Sequence, residues 1–195
     1  MEESITAPLS LPEKHTGTGG FIDPETITDS FGVEEGMKIA DFGCGSGYFT
    51  TALARRTGLD GRVYALDIQE SALDHVRSKA RANNIENIEF IRTNLEIFGG
   101  SGLPNESQDI VLLANVLFQS NKNDDIIKEA KRVLKPGGEI IIIDWKKGTG
   151  GFGPPDNLRL DEEIFKVLAD RNGLTFDRPL NAGQFHFGLI FKKHQ

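Results

Sequence analysis

The sequence predicts an α/β fold: a doubly wound, seven-stranded and mostly parallel sheet that closes with a C-terminal antiparallel hairpin. Three observations predict it. Short apolar runs alternate with segments of helical period from Met37 to Leu134, an order that puts helices on both faces of a parallel sheet. The run EIIIID, Glu139 to Asp144, is apolar on both faces, as a central strand of such a sheet requires. The last two strand-like runs are joined tightly through Asn181-Ala182-Gly183, which fits an antiparallel pair.

Residues 1 to 22 are rich in Pro, Gly, Thr and Ser and read as a flexible arm or lid, ahead of one domain over residues 23 to 195. Asp23 as N-cap, Pro24 at the first helical position and Gly32 as the stop mark a short helix. MKIADF then reads as a strand, YFTTALARR as a helix, RVYALD as a strand, ESALDHVRSKARAN as a helix and IEFIRT as a strand. In the second of these helices Ala72, Leu73, Val76 and Ala80 share a face, with Arg77, Lys79 and Arg81 opposite. QDIVLLAN reads as the fourth strand. NDDIIKEAKRVL sets Ile126, Ile127, Ala130, Val133 and Leu134 at helical spacing, and Lys135-Pro136-Gly137-Gly138 breaks it before EIIIID. WKKGTGGFGPPDN, residues 145 to 157, reads as a loop beyond that strand's carboxyl end. A helix near Leu160 to Asn172 precedes the hairpin strands LTFDRPL and QFHFGLIFKK. Right-handed crossovers place the parallel strands' carboxyl ends on one edge, and ligands of such sheets bind there, beside the first strand.

Composition bounds the function. With 195 residues, 38% apolar and 26% charged, the chain is an ordinary globular domain. The 29 acidic against 22 basic residues give a charge of −7, and no Lys/Arg block tracks phosphates, so nucleic acid is not an expected partner. One cysteine, Cys44, excludes a disulfide framework and a cysteine-rich zinc site, and no metal site is expected. The longest apolar run, Ile140 to Ile143, is too short for a bilayer, and the start MEE is no signal peptide. A cytoplasmic protein without a membrane partner is expected.

DFGCGSGYF, Asp41 to Phe49, supplies the candidate site. Gly43, Gly45 and Gly47 allow close approach to the backbone, and the helix starting near Tyr48 directs its N-terminal N–H groups above the loop, where a carboxylate or phosphate is favoured. A dinucleotide loop G-x-G-x-x-G puts its third glycine where Tyr48 stands, which argues against NAD or FAD; no lysine follows in P-loop spacing. Asp67 ends the second strand, where a carboxylate accepts both hydroxyls of an unphosphorylated ribose. The ligand looks like a nucleoside with a carboxylate and no pyrophosphate.

Over about Phe21 to Lys193 these features resemble the class I S-adenosylmethionine-dependent methyltransferases, with a Rossmann-like fold. DFGCGSG resembles their first motif, and LKPGGEIIIID the post-helix motif of the subgroup with quinone-biosynthesis and small-molecule methyltransferases. The resemblance implies S-adenosyl-L-methionine as cofactor. It implies that Asp41, Gly43, Cys44, Gly45 and Gly47 hold the amino-acid portion and that Asp67, with its neighbour Ile68, holds the ribose side. Asn94, with its neighbour Leu95, stands where the family often has an aspartate facing the adenine; an amide keeps both a donor and an acceptor for that base. Asn115, after the fourth strand, is placed at the methionine end.

Methyl transfer from a sulfonium rests on positioning and water exclusion, with a base needed only if the acceptor atom carries a proton. The candidate catalytic residues are Asp144, as base or orienter or else a loop cap, and His15, in an arm that folds over the site or else is solvated. Trp145 stacks on an aromatic acceptor or belongs to the core; Lys146 and Lys147 attract an anionic acceptor or are solvated. His186 reads as a satisfied structural histidine and His75 as a surface residue. One cysteine is too few to hold arsenic, as arsenite methyltransferases do. The expected partner is a small-molecule methyl acceptor. A cofactor-binding regulatory protein without transfer and a protein methyltransferase are the alternatives.

Overall fold

A computed structural model describes residues 22–149 and 151–194. The arm expected over residues 1 to 22, with His15 in it, lies outside the described residues except for Ile22, which is buried with Ile27 and Phe31. Helix α1 (Pro24–Ile27) continues as a 3-10 turn over Thr28–Phe31. Asp23 caps it by accepting the N–H of Glu25 at 3.1 Å, and Gly32 ends it at φ 67°.

Strands β1 (Lys38–Phe42), β2 (Arg62–Asp67) and β3 (Ile88–Arg92) alternate with α2 (Tyr48–Thr57) and α3 (Glu70–Ala82). Then come β4 (Gln108–Ala114), α4 (Asn123–Val133), β5 (Leu134–Trp145), α5 (Glu162–Arg171), β6 (Leu174–Leu180) and β7 (His186–Lys193). The sheet order is β3-β2-β1-β4-β5-β7-β6. Pairs among β1 to β5 are parallel, and β7 runs antiparallel to both β5 and β6. The predicted fold class is the observed one, with β5 inside the sheet between β4 and β7.

Side-chain alternation divides the core into two layers. Ile141 and Ile143 of β5 face the α1–α3 side with Ile39, Val63, Leu73 and Val76. Ile140 and Ile142 face the α4–α5 side with Val111, Leu113, Ile127 and Phe165. The predicted buried face of α3, Ala72, Leu73, Val76 and Ala80, is the observed one. Strand β5 begins earlier than expected: Leu134 pairs with Gln108, the ladder resumes at Glu139 opposite Ile110, and KPGG bulges between them. The loop after β5 also holds a 3-10 turn, Asp156–Leu158.

Among the described residues no helix is long and apolar enough to cross a membrane, and no three His, Cys, Asp or Glu side chains gather as a metal site.

Candidate functional site

The chain reverses direction across the sheet between β1 and β4, and the loop from Gly43 to Gly47 leaves β1 at that point. The N–H groups of Gly43 and Cys44 both donate to the carbonyl of Leu66, at 2.8 and 3.0 Å, which fastens the loop to β2. All three glycines have positive φ: 76° at Gly43, 50° at Gly45 and 78° at Gly47. Their surroundings differ. A Cβ on Gly43 would lie 2.5 Å from Val116 Cγ2, and one on Gly47 would lie 2.7 Å from Val76 Cγ2. A Cβ on Gly45 would meet nothing nearer than the Gly43 carbonyl at 4.0 Å. Gly43 and Gly47 are bare because neighbouring side chains press on them. Gly45 is bare beneath open space.

That space belongs to a cavity of about 520 Å³. Gly43 and Gly45 form its floor, and Asp67, Ile68 and Gln69 form one wall. Ser71 and His75 of α3, Thr93 to Glu96 after β3, and Val116, Gln119 and Ser120 after β4 complete it. Asp67 is held in place by backbone donors: Oδ2 accepts Gly45 N–H at 3.0 Å and Oδ1 accepts Gln69 N–H at 2.9 Å. A carboxylate has about four lone-pair sites, so each oxygen keeps capacity for a ligand hydroxyl. Ile68 is 57% exposed, an apolar surface at the cavity wall. Asn94 Oδ1 accepts the Glu96 N–H at 2.9 Å, which fixes the turn after β3 and leaves the NH2 and one lone pair for a base edge. Across the rim, Ser120 Oγ donates to Glu96 Oε1 at 2.7 Å and ties the β3 and β4 loops together.

Beneath the loop, Asp41 is 1% exposed and its Oδ2 accepts Thr50 Oγ1 at 2.5 Å. Burial raises its pKa to about 7, opposed by the Thr50 bond and reinforced by the Asp67 charge. Burial, with the charges of Asp41 and Asp67, likewise pushes the Cys44 thiol up and keeps it protonated. Gly47 caps α2 with no side-chain hydrogen bond, so the first-turn N–H groups of that helix are not met by a capping side chain. Tyr48 stands beside the loop with the Lys79 ammonium 3.0 Å from its ring centroid. Lys79 was expected on the solvent face of α3; its long stem instead carries the charge onto the ring, where cation–π attraction replaces water.

On the β4–β5 side of the edge, Asn115 has φ 58°, donates its N–H to the Ile143 carbonyl at 2.8 Å, and buries Oδ1 without a hydrogen-bond partner. Asp144, on the adjacent strand, is 1% exposed. Its Oδ1 accepts the Trp145 N–H at 2.8 Å while Oδ2 has no partner. Burial raises its pKa to about 7, with the backbone of Trp145 and then of Phe118 acting the other way. His186 pairs in register with Trp145, its ring centroid 4.0 Å from the indole. The expectation of a satisfied histidine fails: His186 is buried and neither ring nitrogen has a hydrogen-bond partner. Burial, then the charges of Arg159 and Lys146, lower its pKa to about 4.

Of the expected site residues, Gly43, Gly45, Asp67, Ile68, Asn94 and Leu95 line the cavity. Asp41, Cys44 and Gly47 support it from below or beside, and Asn115 and Asp144 lie on the next strand ends without lining it. His15 lies outside the described residues. Trp145 is a core side chain, Lys146 Nζ donates to the Gly183 carbonyl at 3.1 Å, and Lys147 pairs with Asp161 at 2.8 Å. His75 was passed over, yet it lines the cavity with Ser71 one turn earlier. Their i, i+4 spacing just after Asp67 was a usable signal. Gln119 and Ser120 had none, since a 3-10 turn over Leu117–Gln119 brings them in.

The chain also matches known proteins. The model of a family described as a methyltransferase domain matches residues 33–178. The ubiquinone/menaquinone biosynthesis C-methyltransferase UbiE of Hahella chejuensis is 32% identical over 122 residues, 62% of this chain and 48% of that protein. The demethylmenaquinone methyltransferase of Lactococcus lactis is 34% identical over 152 residues, 77% of this chain and 57% of that protein. The chain thus spans about half the length of the curated relatives it matches. A crystal structure of a SAM dependent methyltransferase from Aquifex aeolicus superposes with a TM-score of 0.81 at 28% identity, covering 88% of this chain and 90% of that one.

Proposed function

Because the chain belongs to the methyltransferase domain family, we propose that it transfers a methyl group from S-adenosyl-L-methionine to a small molecule. One observation carries the reading: the cavity at the β1–β4 reversal has the open Gly45 backbone as floor and the Asp67 carboxylate as wall. That combination suits a nucleoside without pyrophosphate, and Tyr48, covered by Lys79, fills the place a dinucleotide loop keeps bare.

The residues present fit the cofactor. Asp67 would take the two ribose hydroxyls on the lone pairs its backbone donors leave. Ile68 and Leu95 would border the adenine, with Asn94 at its edge. The glycine loop over Asp41, together with Cys44 and Gly47, would hold the amino-acid portion, and the unpartnered Asn115 Oδ1 would accept an ammonium N–H there. When bound, S-adenosyl-L-methionine supplies a methyl group on a positively charged sulfur.

What remains for the chain is to position the acceptor, exclude water and handle a proton. Asp144 is the candidate base: its Oδ2 has no internal partner, and a pKa near 7 suits proton transfer at neutral pH. The relatives are quinone-biosynthesis enzymes by name, which supports a small-molecule acceptor over nucleic acid or a membrane partner. The lone buried cysteine suits a cytoplasmic setting.

Calorimetric titration with S-adenosylhomocysteine and with NAD tests the ligand, and single-turnover transfer against an acceptor panel tests the activity. Binding of S-adenosylhomocysteine with transfer is expected. Binding of NAD alone overturns the reading, and tight S-adenosylhomocysteine binding without transfer to any acceptor reduces the protein to a cofactor binder.

A further inference from the structure

Strands β3 and β4 stand three places apart in the sheet, with β2 and β1 between them; at about 4.8 Å per step their axes are separated by about 14 Å. The loops that leave their carboxyl ends nevertheless meet, and one side chain joins them. Glu96 Oε1 accepts the Ser120 hydroxyl at 2.7 Å, and Glu96 Oε2 lies 3.6 Å from Lys122 Nζ. Ser120 Oγ in turn accepts the Lys122 N–H at 2.9 Å. Among the described residues no other hydrogen bond or ion pair links residues 93–103 to residues 115–122.

Each loop is otherwise fastened on its own side. Glu129 accepts the N–H groups of Gly99 and Ser101, at 2.7 and 3.1 Å, and holds the loop after β3 onto α4. After β4, Gln119 Nε2 donates to the Asn115 carbonyl at 2.7 Å, and the N–H groups of Gln119 and Ser120 close onto the Val116 and Leu117 carbonyls. Glu96 and Ser120 both line the cofactor cavity. The Glu96 N–H also donates to Asn94 Oδ1, so the residue that bridges the gap holds the amide placed at the base edge. The bridge is built from modest contacts. The Lys122 side chain is 59% exposed, so its pair with Glu96 is screened by salt. The Ser120 hydroxyl on an ionised carboxylate is the stronger half. Such a closure parts without unfolding either loop.

We propose that Glu96 is a positioning residue that latches the base end of the cofactor cavity: its carboxylate holds the β3 and β4 loops together beside the adenine, and this latch parts each time the cofactor enters or leaves. The inference rests on the methyl-transfer reading and adds to it the residue that governs cofactor exchange. The latch joins loop to loop and not loop to ligand. Weakening it therefore destabilises the closed form alike with the cavity empty or filled, so association and dissociation both speed up and affinity stays. A side chain that simply touched the ligand would speed dissociation alone.

Surface plasmon resonance with S-adenosylhomocysteine over the immobilised full chain reads both rates. Glu96→Ala removes both contacts and should raise association and dissociation about tenfold each, the scale of a charged hydrogen bond, with the dissociation constant held within about twofold. Ser120→Ala should reproduce most of that change. Lys122→Met should raise both rates about twofold at low salt, the scale of an exposed pair, and remove the acceleration that added salt gives the unmutated protein. Association unchanged in Glu96→Ala and Ser120→Ala, or dissociation rising alone, overturns the inference and makes Glu96 an ordinary wall residue. If Glu96→Ala does not fold, Ser120→Ala decides alone. Binding of S-adenosylhomocysteine to the unmutated protein with no rate change in any variant sinks the latch and leaves the methyl-transfer reading standing. Failure of S-adenosylhomocysteine to bind the unmutated protein sinks that reading, and the latch with it.

Discussion

Replacing Asp41 by Asn should make the ligand-free protein more stable at pH 8 and leave it nearly unchanged at pH 4. Burial raises the Asp41 pKa from 3.8 to about 7 in the folded chain. A carboxyl whose folded pKa lies above its unfolded one binds its proton more tightly when folded, so its contribution is complete below the unfolded pKa and is lost as pH rises through the folded one. The window is therefore pH 4 to 7, with stability falling upward through it. A difference of 3.2 pKa units at about 1.4 kcal/mol each sets an upper bound of about 4 kcal/mol by pH 8, about 3 at pH 6 and under about 1 at pH 4. Asn keeps an oxygen to accept the Thr50 hydroxyl, so the substitution removes the charge and retains the bond. Urea unfolding at pH 4, 6 and 8, analysed by linear extrapolation, gives the three differences. An Asp41→Asn effect that is the same at all three pH values, or that destabilises at pH 8, refutes the burial argument.

The other predictions probe the site. Asp67→Ala should weaken S-adenosylhomocysteine by about 1.5 to 3 kcal/mol in calorimetry, the scale of charged hydrogen bonds, and unchanged affinity would misplace the ribose. Gly43→Ala should lower the melting temperature through the 2.5 Å overlap with Val116, at about 1 to 3 kcal/mol. Gly45→Ala should cost only the left-handed strain of about 1 to 2 kcal/mol yet abolish S-adenosylhomocysteine binding; the reverse pattern would reassign the open face. Asp144→Asn should slow single-turnover transfer, remove its rise with pH around 7 and spare cofactor affinity; an unchanged pH profile would return Asp144 to loop capping.

The fold was legible because its signals are local and periodic. The α3 face, the Asp23 cap and the LTFDRPL strand all appear as read, since 3.6- and 2-residue periods survive packing on a sheet. The start of β5 was misread because Leu134 pairs with Gln108 across a bulge, a contact no local pattern encodes. At the cavity, glycines and a strand-end carboxylate declare themselves, so Gly45 and Asp67 could be singled out from the sequence, and both line it. Which glycine opens onto the cavity could not be read, because that depends on Val116 and Val76, which are far apart in sequence. His186 shows the same limit: the alternation Phe185, His186, Phe187 gives a facing, but not whether a partner waits there.

Buried polar groups among the described residues differ in how fully they are satisfied, and a cluster of unsatisfied ones supports placing function at the carboxyl edge. Glu129, midway along α4, accepts five hydrogen bonds, from the Gly99 and Ser101 backbones, the Ser101 hydroxyl and two Arg132 nitrogens. Burial alone would raise its pKa, but these bonds outweigh it and lower the value to about 2. Such a group is complete; it clamps the loop after β3 onto α4 and offers a ligand nothing. Asn115 Oδ1, Asp144 Oδ2 and both nitrogens of His186 stand in the opposite condition, buried and unpartnered on consecutive strand ends. Each unmade bond costs about 1 to 3 kcal/mol, a sum that apolar side chains of similar size would avoid. Gln108 Oε1, at the amino end of β4, Asn123 Oδ1 and Lys79 Nζ are also buried without a hydrogen-bond partner, so an orphan alone marks no site. The three on adjacent strand ends are set apart by standing together at the edge that the Gly45 backbone leaves open, where a bound molecule would supply the missing donors and acceptors.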